Sequence, residues 1–176
     1  MSKVIKYLKN KDVDLLFFFN HKIQKNALDT FMKLITHLGS LGFAVGFPIV
    51  LMLAPNAQAR SLGFHLAFSL LISSIVVFSI KLLIRRARPF ESFEDIKTLF
   101  IPKDKNSFPS GHTCAAVTIG MTISQSASSI ASTFFIGLSV LVGISRMYLG
   151  VHYPSDVVFG GTIALVTVSI IIPIFI

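Results

Sequence analysis

Apolar residues in this chain come in long blocks separated by short polar breaks. That pattern fits membrane-crossing helices rather than strands or the half-polar helices of a soluble domain. The first block long enough to cross runs from about Leu28 to Leu53 and stops at the turn Ala54-Pro55-Asn56-Ala57-Gln58. It holds Gly39, Gly42 and Gly46, which would let another helix approach closely, and Pro48, the expected kink. Further blocks cover about Ser61 to Ile84, Ser110 to Gln125, Ile130 to Tyr148, and Pro154 to the last residue. Ahead of them, Asp12 to Gln24 is too short to cross. It is expected to lie in the interface with Leu15, Leu16, Phe17, Phe18 and Phe19 facing lipid. The expected fold is therefore all-α: a polytopic transmembrane bundle of five to six spans with an N-terminal interfacial helix. Residues 1–176 form one membrane-embedded domain, and the sixth span exists only if Val13 to Phe19 crosses.

Composition supports this reading, with 53% of the 176 residues hydrophobic. The formal net charge of +8 adds a question, because a basic chain can serve nucleic acid, an anionic lipid surface or an anionic substrate. Nucleic acid is set aside, since the basic residues sit among membrane segments. Lys3, Lys6, Lys9 and Lys11 read as a headgroup-binding or orientation signal. They do not open a cleavable signal peptide, because the apolar run after them is short and lacks a small-residue cleavage site. The single cysteine, Cys114, cannot form an internal disulfide and reads as a packing residue.

The block order has a geometric consequence. Lys81 and Arg88 lie at the exit of one block, and Ser110, Gly111 and His112 at the entrance of the next. Ser145 and Arg146 close the fourth block, while His152 and Asp156 open the fifth. Antiparallel packing brings all four groups to one end of the bundle, so a single site is the simplest account. A helix beginning Pro109-Ser110-Gly111-His112 offers unpaired N–H groups and a positive dipole end, a seat for phosphate with His112 placed as a proton donor. Lys81, Arg88 and Arg146 would nearly balance a phosphate carrying about two negative charges. The arginines present a planar fork and the lysine a point charge. Arg146, inside an apolar span end, needs an anionic partner, whereas Arg85 and Arg86 read as residues that merely reach the interface. Asp156, four residues after His152, can fix the imidazole tautomer and leave the other nitrogen free as a nucleophile, or can simply complement the helix N-terminus. Two histidines and a carboxylate could also hold iron or zinc, but three converging cations would repel a metal.

These residues resemble a known signature: Lys81, six residues, then Arg88-Pro89; Pro109-Ser110-Gly111-His112; Ser145-Arg146, five residues, His152, three residues, Asp156. It is that of the type 2 phosphatidic acid phosphatase superfamily, which includes membrane lipid phosphatases and vanadium haloperoxidases. The resemblance covers about the middle and last thirds of the chain. It implies a phosphatase that uses no metal or other cofactor, with His152 as nucleophile and Asp156 orienting it. His112 would protonate the leaving oxygen and later activate water. Lys81, Arg88, Ser110, the Gly111 amide and Arg146 would hold the phosphate oxygens.

The small size and minimal loops are similar to bacterial lipid phosphatases. The expected partners are membrane lipids and a lipid phosphate or pyrophosphate, with undecaprenyl pyrophosphate favoured and phosphatidylglycerophosphate or phosphatidic acid as alternatives. The loop from Phe90 to Phe108 is expected to help choose the headgroup. A haloperoxidase would need vanadate and suits the membrane setting less well, and a non-catalytic lipid-phosphate binder or flippase is a reading of another class. With five spans the site shares a side with nearly all the lysines and arginines, which by the positive-inside rule is cytoplasmic. The resemblance points instead to the extracytoplasmic face of the cell membrane, and that is the side expected here.

Overall fold

The computed structural model describes residues 3–171 and residue 173, and among these every regular element is helical. The chain runs through α1 (Lys3–Phe17), α2 (Asn26–Thr36), α3 (Leu41–Met52), α4 (Ala57–Ile84), α5 (Pro89–Ser92), α6 (Gly111–Ser124), α7 (Ser129–Tyr148) and α8 (Pro154–Val166). Side-chain caps start several of them at the polar breaks. Asn56 Oδ1 accepts from Gln58 N and Ala59 N at the head of α4, and the hydroxyls of Ser110 and Ser128 cap α6 and α7.

Helix α6 stands in the centre, packed against α4, α7 and α8. Its small side chains let the neighbours close in, and hydroxyls tie them together. Ser139 of α7 donates to the Ala116 carbonyl at 2.7 Å, and Thr118 donates to Ser73 of α4 at 3.3 Å. Leu66 and Leu70 of α4 interlock with Ile119 and Ile123 of α6 under Phe43 and Phe47 of α3.

Helices α4 and α7 are each long and apolar enough to cross a membrane, and α2 with α3 makes a third candidate crossing bent by 57°. Helices α6, with 14 residues, and α8, with 13, are shorter than the roughly 20 residues a free-standing span needs. The expected kink at Pro48 is displaced. The break comes at Gly39–Ser40, because the extended Ser40 backbone ends one helix while its Oγ accepts from Phe43 N at 3.3 Å and starts the next. Gly42 and Gly46, expected at a close contact, face open space, and it is Gly39 that abuts α6.

The N-terminal segment also departs from expectation. Helix α1 starts at Lys3 and continues through a π-helical turn, Phe18–Lys22. It carries all four N-terminal lysines, as well as Asp12 and Asp14, and is not among the helices apolar enough to cross. Nor do all its apolar residues face lipid: Leu16 is fully buried against Ile96 and Tyr153, and Phe17 packs edge-on to Phe93. Asn20, also fully buried, donates to the carbonyls of Lys97 and Tyr148 at 2.9 Å each. The segment is docked into the protein rather than lying free of it.

Candidate active site

Lys81 lies in the last turn of α4, which Arg85 ends in the left-handed conformation at φ 45°. The chain then turns back, so that Arg88, at the N-cap of the short α5, points into the bundle and is almost completely buried. Helix α7 ends on Gly150, whose φ of +72° supports paired closing bonds, Gly150 N to Met147 O at 3.0 Å and Val151 N to Arg146 O at 3.2 Å. This reversal leaves Arg146 on the last turn and aims His152 back at it. Pro154 then opens α8, with Asp156 in its first turn.

Lys81, Arg88, Gly111, His112, Arg146 and His152 line one cavity of about 360 Å³. Its outer wall is apolar, with Leu41, Val77 and Phe78, and both Leu41 and Phe78 are largely exposed on the bundle surface. Two expected site residues stand behind the lining. Ser110 is fully buried, its Oγ accepting from Thr113 Oγ1 at 2.9 Å while its N–H donates to the Asp156 carbonyl at 2.9 Å. Asp156 is likewise fully buried, beneath His152.

The imidazole of His152 is held between opposite demands. Its Nε2 lies 3.4 Å from Arg88 Nη1 and its Nδ1 lies 3.4 Å from Asp156 Oδ2. A guanidinium can only donate, so Nε2 is the accepting nitrogen and the ring proton belongs on Nδ1, towards the carboxylate. Burial, with Arg146, Arg88 and Lys81 nearby, holds the His152 pKa well below the usual imidazole range. The ring is therefore neutral at pH 7, with a lone pair directed at the cations. Of the two roles left open by its spacing, Asp156 fills the capping one, Oδ2 accepting the Tyr153 N–H at 2.9 Å in the capping box that seals α8; the same oxygen faces His152 Nδ1 at 3.4 Å without a hydrogen bond to it.

The cations are partly matched. Arg88 is fixed by the carbonyls of Val151 and Asp104, at 2.8 and 3.0 Å. Asp104, from the 93–110 connection, bridges Lys81 at 2.9 Å and Arg88 at 2.6 Å. Its own burial opposes ionisation, but the hydrogen bond and charge of Lys81, with Arg88, outweigh this and hold the carboxyl below its ordinary range. Arg146 lacks such a partner. It is buried, donates from Nη1 to Thr36 Oγ1 at 2.7 Å and has no partner at Nε. Among the described residues no carboxylate reaches it, so the expected anion is not supplied by the chain. Three cations against the single Asp104 carboxylate leave an excess of two positive charges around the cavity.

Arg86, taken from sequence as an interface residue, proves structural. It donates to Asp156 Oδ1 at 2.7 Å, Ser155 Oγ at 2.7 Å and Asp12 Oδ2 at 2.8 Å, and its guanidinium lies 3.7 Å from the Tyr153 ring centroid. Thr36 and Asp12 likewise carried no signal in sequence. With Asp156 committed to Arg86, no group of three or more His, Cys, Asp or Glu among the described residues is arranged to hold a metal ion.

The model of the PAP2 superfamily matches residues 62–175. An undecaprenyl-diphosphatase of Sulfolobus acidocaldarius is 31% identical over 140 residues, covering 78% of this chain and 68% of the relative. Among solved structures, LpxE of Aquifex aeolicus superposes with a TM-score of 0.81 at 28% identity, covering 90% of this chain and 92% of that one. A PAP2-type phosphatidylglycerolphosphate phosphatase of Bacillus subtilis shares the fold, with a TM-score of 0.74 at 22% identity over 99% of this chain and 87% of that one.

Proposed function

From the premise that this chain belongs to the PAP2 superfamily and is a membrane phosphatase, we propose that it hydrolyses a lipid phosphate or pyrophosphate through a phosphohistidine on His152, with undecaprenyl pyrophosphate as its substrate. The observation that carries this reading is the buried Arg146, without a carboxylate, in the same cavity as Lys81, Arg88 and two imidazoles. Such a set of groups attracts an anion and offers it both an attacking nitrogen and a proton donor.

The terminal phosphorus sits against His152 Nε2, with its oxygens on Lys81, Arg88, Arg146 and the Gly111 amide. Nε2 attacks, the N–P bond forms, and the bond to the leaving oxygen breaks as His112 gives it a proton. The Nδ1 proton stays on the ring, and Asp156 balances the resulting positive charge. His112 then takes a proton from water, whose oxygen attacks phosphorus and frees His152 and inorganic phosphate. Charge that builds on the equatorial oxygens meets fixed donors, the largest single source of catalysis in such sites.

The cavity admits a headgroup, and the exposed Leu41 and Phe78 at its wall leave a route for the tail into lipid. The excess of positive charge suits a pyrophosphate end, and the name of the Sulfolobus relative points the same way. Five crossings follow if the bent α2–α3 pair, α4, α6, α7 and α8 each span. The short α6 is shielded by its neighbours and need not match the lipid thickness on its own. The site and the N-terminus then share one side; the lysines of α1 would favour the cytoplasm there, and it is the family resemblance that makes the extracytoplasmic face our proposal.

The test is phosphate release from purified protein with undecaprenyl pyrophosphate, phosphatidylglycerophosphate and phosphatidic acid in detergent micelles containing EDTA. Fastest turnover of the pyrophosphate is expected, with none from His152→Ala. A preference for either phospholipid would overturn the substrate assignment, and binding without release would favour a carrier. For sidedness, K9C and K103C sit at exposed positions and the native Cys114 is buried, so labelling of both from outside the cell is expected.

A further inference from the structure

We infer that Arg86 and Asp12 are positioning residues for phosphoryl transfer: Arg86 orients the Asp156 carboxylate beneath His152, and Asp12 on α1 holds Arg86. The inference rests on His152 being the nucleophile.

A carboxylate steers an imidazole only if it cannot rotate away from it. The two oxygens of Asp156 are fixed from different directions. Oδ2 takes the Tyr153 N–H at 2.9 Å and faces His152 Nδ1, while Oδ1 takes Arg86 Nη1 at 2.7 Å. Arg86 is in turn locked on three sides. The same Nη1 reaches Ser155 Oγ, Nη2 reaches Asp12 Oδ2, and the ring of Tyr153 covers the guanidinium face. Asp12 closes the circuit by accepting Ser155 N at 2.8 Å and Ser155 Oγ at 2.6 Å. Residues from α1, the end of α4 and the start of α8 thus meet in one ring of charge-assisted bonds, the kind that gives both strength and orientation. Such outer partners fix tautomer and ring direction for a working histidine.

The network also sets charge. His152 is faced by Arg88 and Asp104 from the connecting segments, Lys81 from α4, His112 from α6, Arg146 from α7 and Asp156 from α8. Arg86 draws on the Asp156 charge from the far side, so its loss leaves more negative potential on His152 and favours the protonated, non-nucleophilic ring. Helix α1 is thereby part of the active-site support as well as a basic surface at the membrane.

The test compares Arg86→Gln, Arg86→Lys, Asp12→Asn and His152→Ala in the purified full-length protein, following phosphate release from undecaprenyl pyrophosphate micelles across pH. Arg86→Gln is expected to lower kcat about 10–100-fold, the scale known for outer partners of metal-bound histidines, taken here by analogy, with KM little changed and the acid limb of kcat/KM moved to higher pH. Arg86→Lys keeps the charge, restores the limb and recovers part of kcat, while Asp12→Asn shifts both readouts the same way by less. If Arg86→Gln keeps its kcat, or loses kcat without moving the limb, while His152→Ala is inactive, the inference is overturned and the nucleophile assignment survives. An active His152→Ala would instead overturn the reading beneath it. If Arg86→Gln does not fold, Asp12→Asn with unchanged kcat and limb overturns the inference.

Discussion

Lys81 and Asp104 meet at 2.9 Å across the mouth of the cavity, and the same carboxylate reaches Arg88 at 2.6 Å on its other oxygen. Asp104 therefore occupies ground that a phosphate would need, holding two of the three cations with two oxygens. Its side chain is 58% exposed while those of Lys81 and Arg88 are 12% and 2% exposed, so an incoming anion has to displace a half-exposed carboxylate from two largely buried cations. Asp104→Asn should strengthen competitive inhibition by inorganic phosphate by at least about fivefold, the equivalent of roughly 1 kcal/mol that even an exposed pair can reach. The gain should shrink as salt is raised. Inhibition constants at low and high ionic strength measure it, and an unchanged constant at low salt would remove Asp104 from the anion seat.

Arg146 is held by a hydroxyl from a helix far away in sequence, with Thr36 Oγ1 accepting from Nη1 at 2.7 Å. Arg146→Lys loses the planar fork and should lower kcat/KM by about two to three orders of magnitude, the scale for losing a donor to developing negative charge. Thr36→Val keeps the shape and removes only the acceptor. Hydrogen bonds to charged groups are worth about 1.5–3 kcal/mol, so kcat/KM should fall roughly tenfold or more while the protein stays folded. A Thr36→Val protein with wild-type kinetics would mean that Arg146 is aimed by packing alone.

The groups lining the cavity were legible in sequence because each marks the end of an apolar block, and block ends are dictated by what lipid excludes. Antiparallel packing does the rest. Arg86 was not legible: Arg85, Arg86 and Arg88 have the same chemistry on paper. They are separated only by the left-handed turn at Arg85 and by Asp12, whose position across space no local pattern reports. Thr36 is hidden for the same reason, one hydroxyl among many in apolar helices. Leu15 and Leu16 are equally hydrophobic, yet only Leu16 finds Ile96 and Tyr153. Proline lacks a donor, which is why the sequence points to a kink at Pro48, but a proline can ride inside a helix while an extended, capping Ser40 ends one outright.

Gly39 lies so close to the backbone of His112 that a Cβ there would overlap the His112 carbonyl. Main chain in the first turn of α6 cannot yield as a flexible side-chain tip would. Gly39→Ala should therefore lower the unfolding midpoint, at an overpacking cost of about 1–3 kcal/mol, and lower kcat as Gly111 and His112 shift together. Gly42→Ala, three residues on and facing open space, should leave both unchanged. Thermal unfolding and kinetics in the same detergent compare the pair, and equal behaviour of the two variants would contradict the contact.

Burial and the cations around His152 hold its folded-state pKa well below that of the unfolded chain, about 6.5. Between those two values the unfolded state binds more protons than the folded one, so stability rises with pH through this window. The contribution is complete above about pH 6.5 and is lost as the pH falls towards the folded-state value. Asp104, a carboxyl held low, loses its own contribution only in the more acidic carboxylate range, so it does not mimic this effect near neutrality. Wild-type protein should therefore lose more of its unfolding midpoint between pH 7.5 and pH 5.5 than His152→Asn, which has no imidazole to charge at that position. The comparison is made in phosphate-free buffer, since a bound anion would neutralise the cations that depress the ring. Parallel curves for the two proteins would mean that His152 titrates alike in the folded and unfolded states, against its burial beside Arg88 and Arg146.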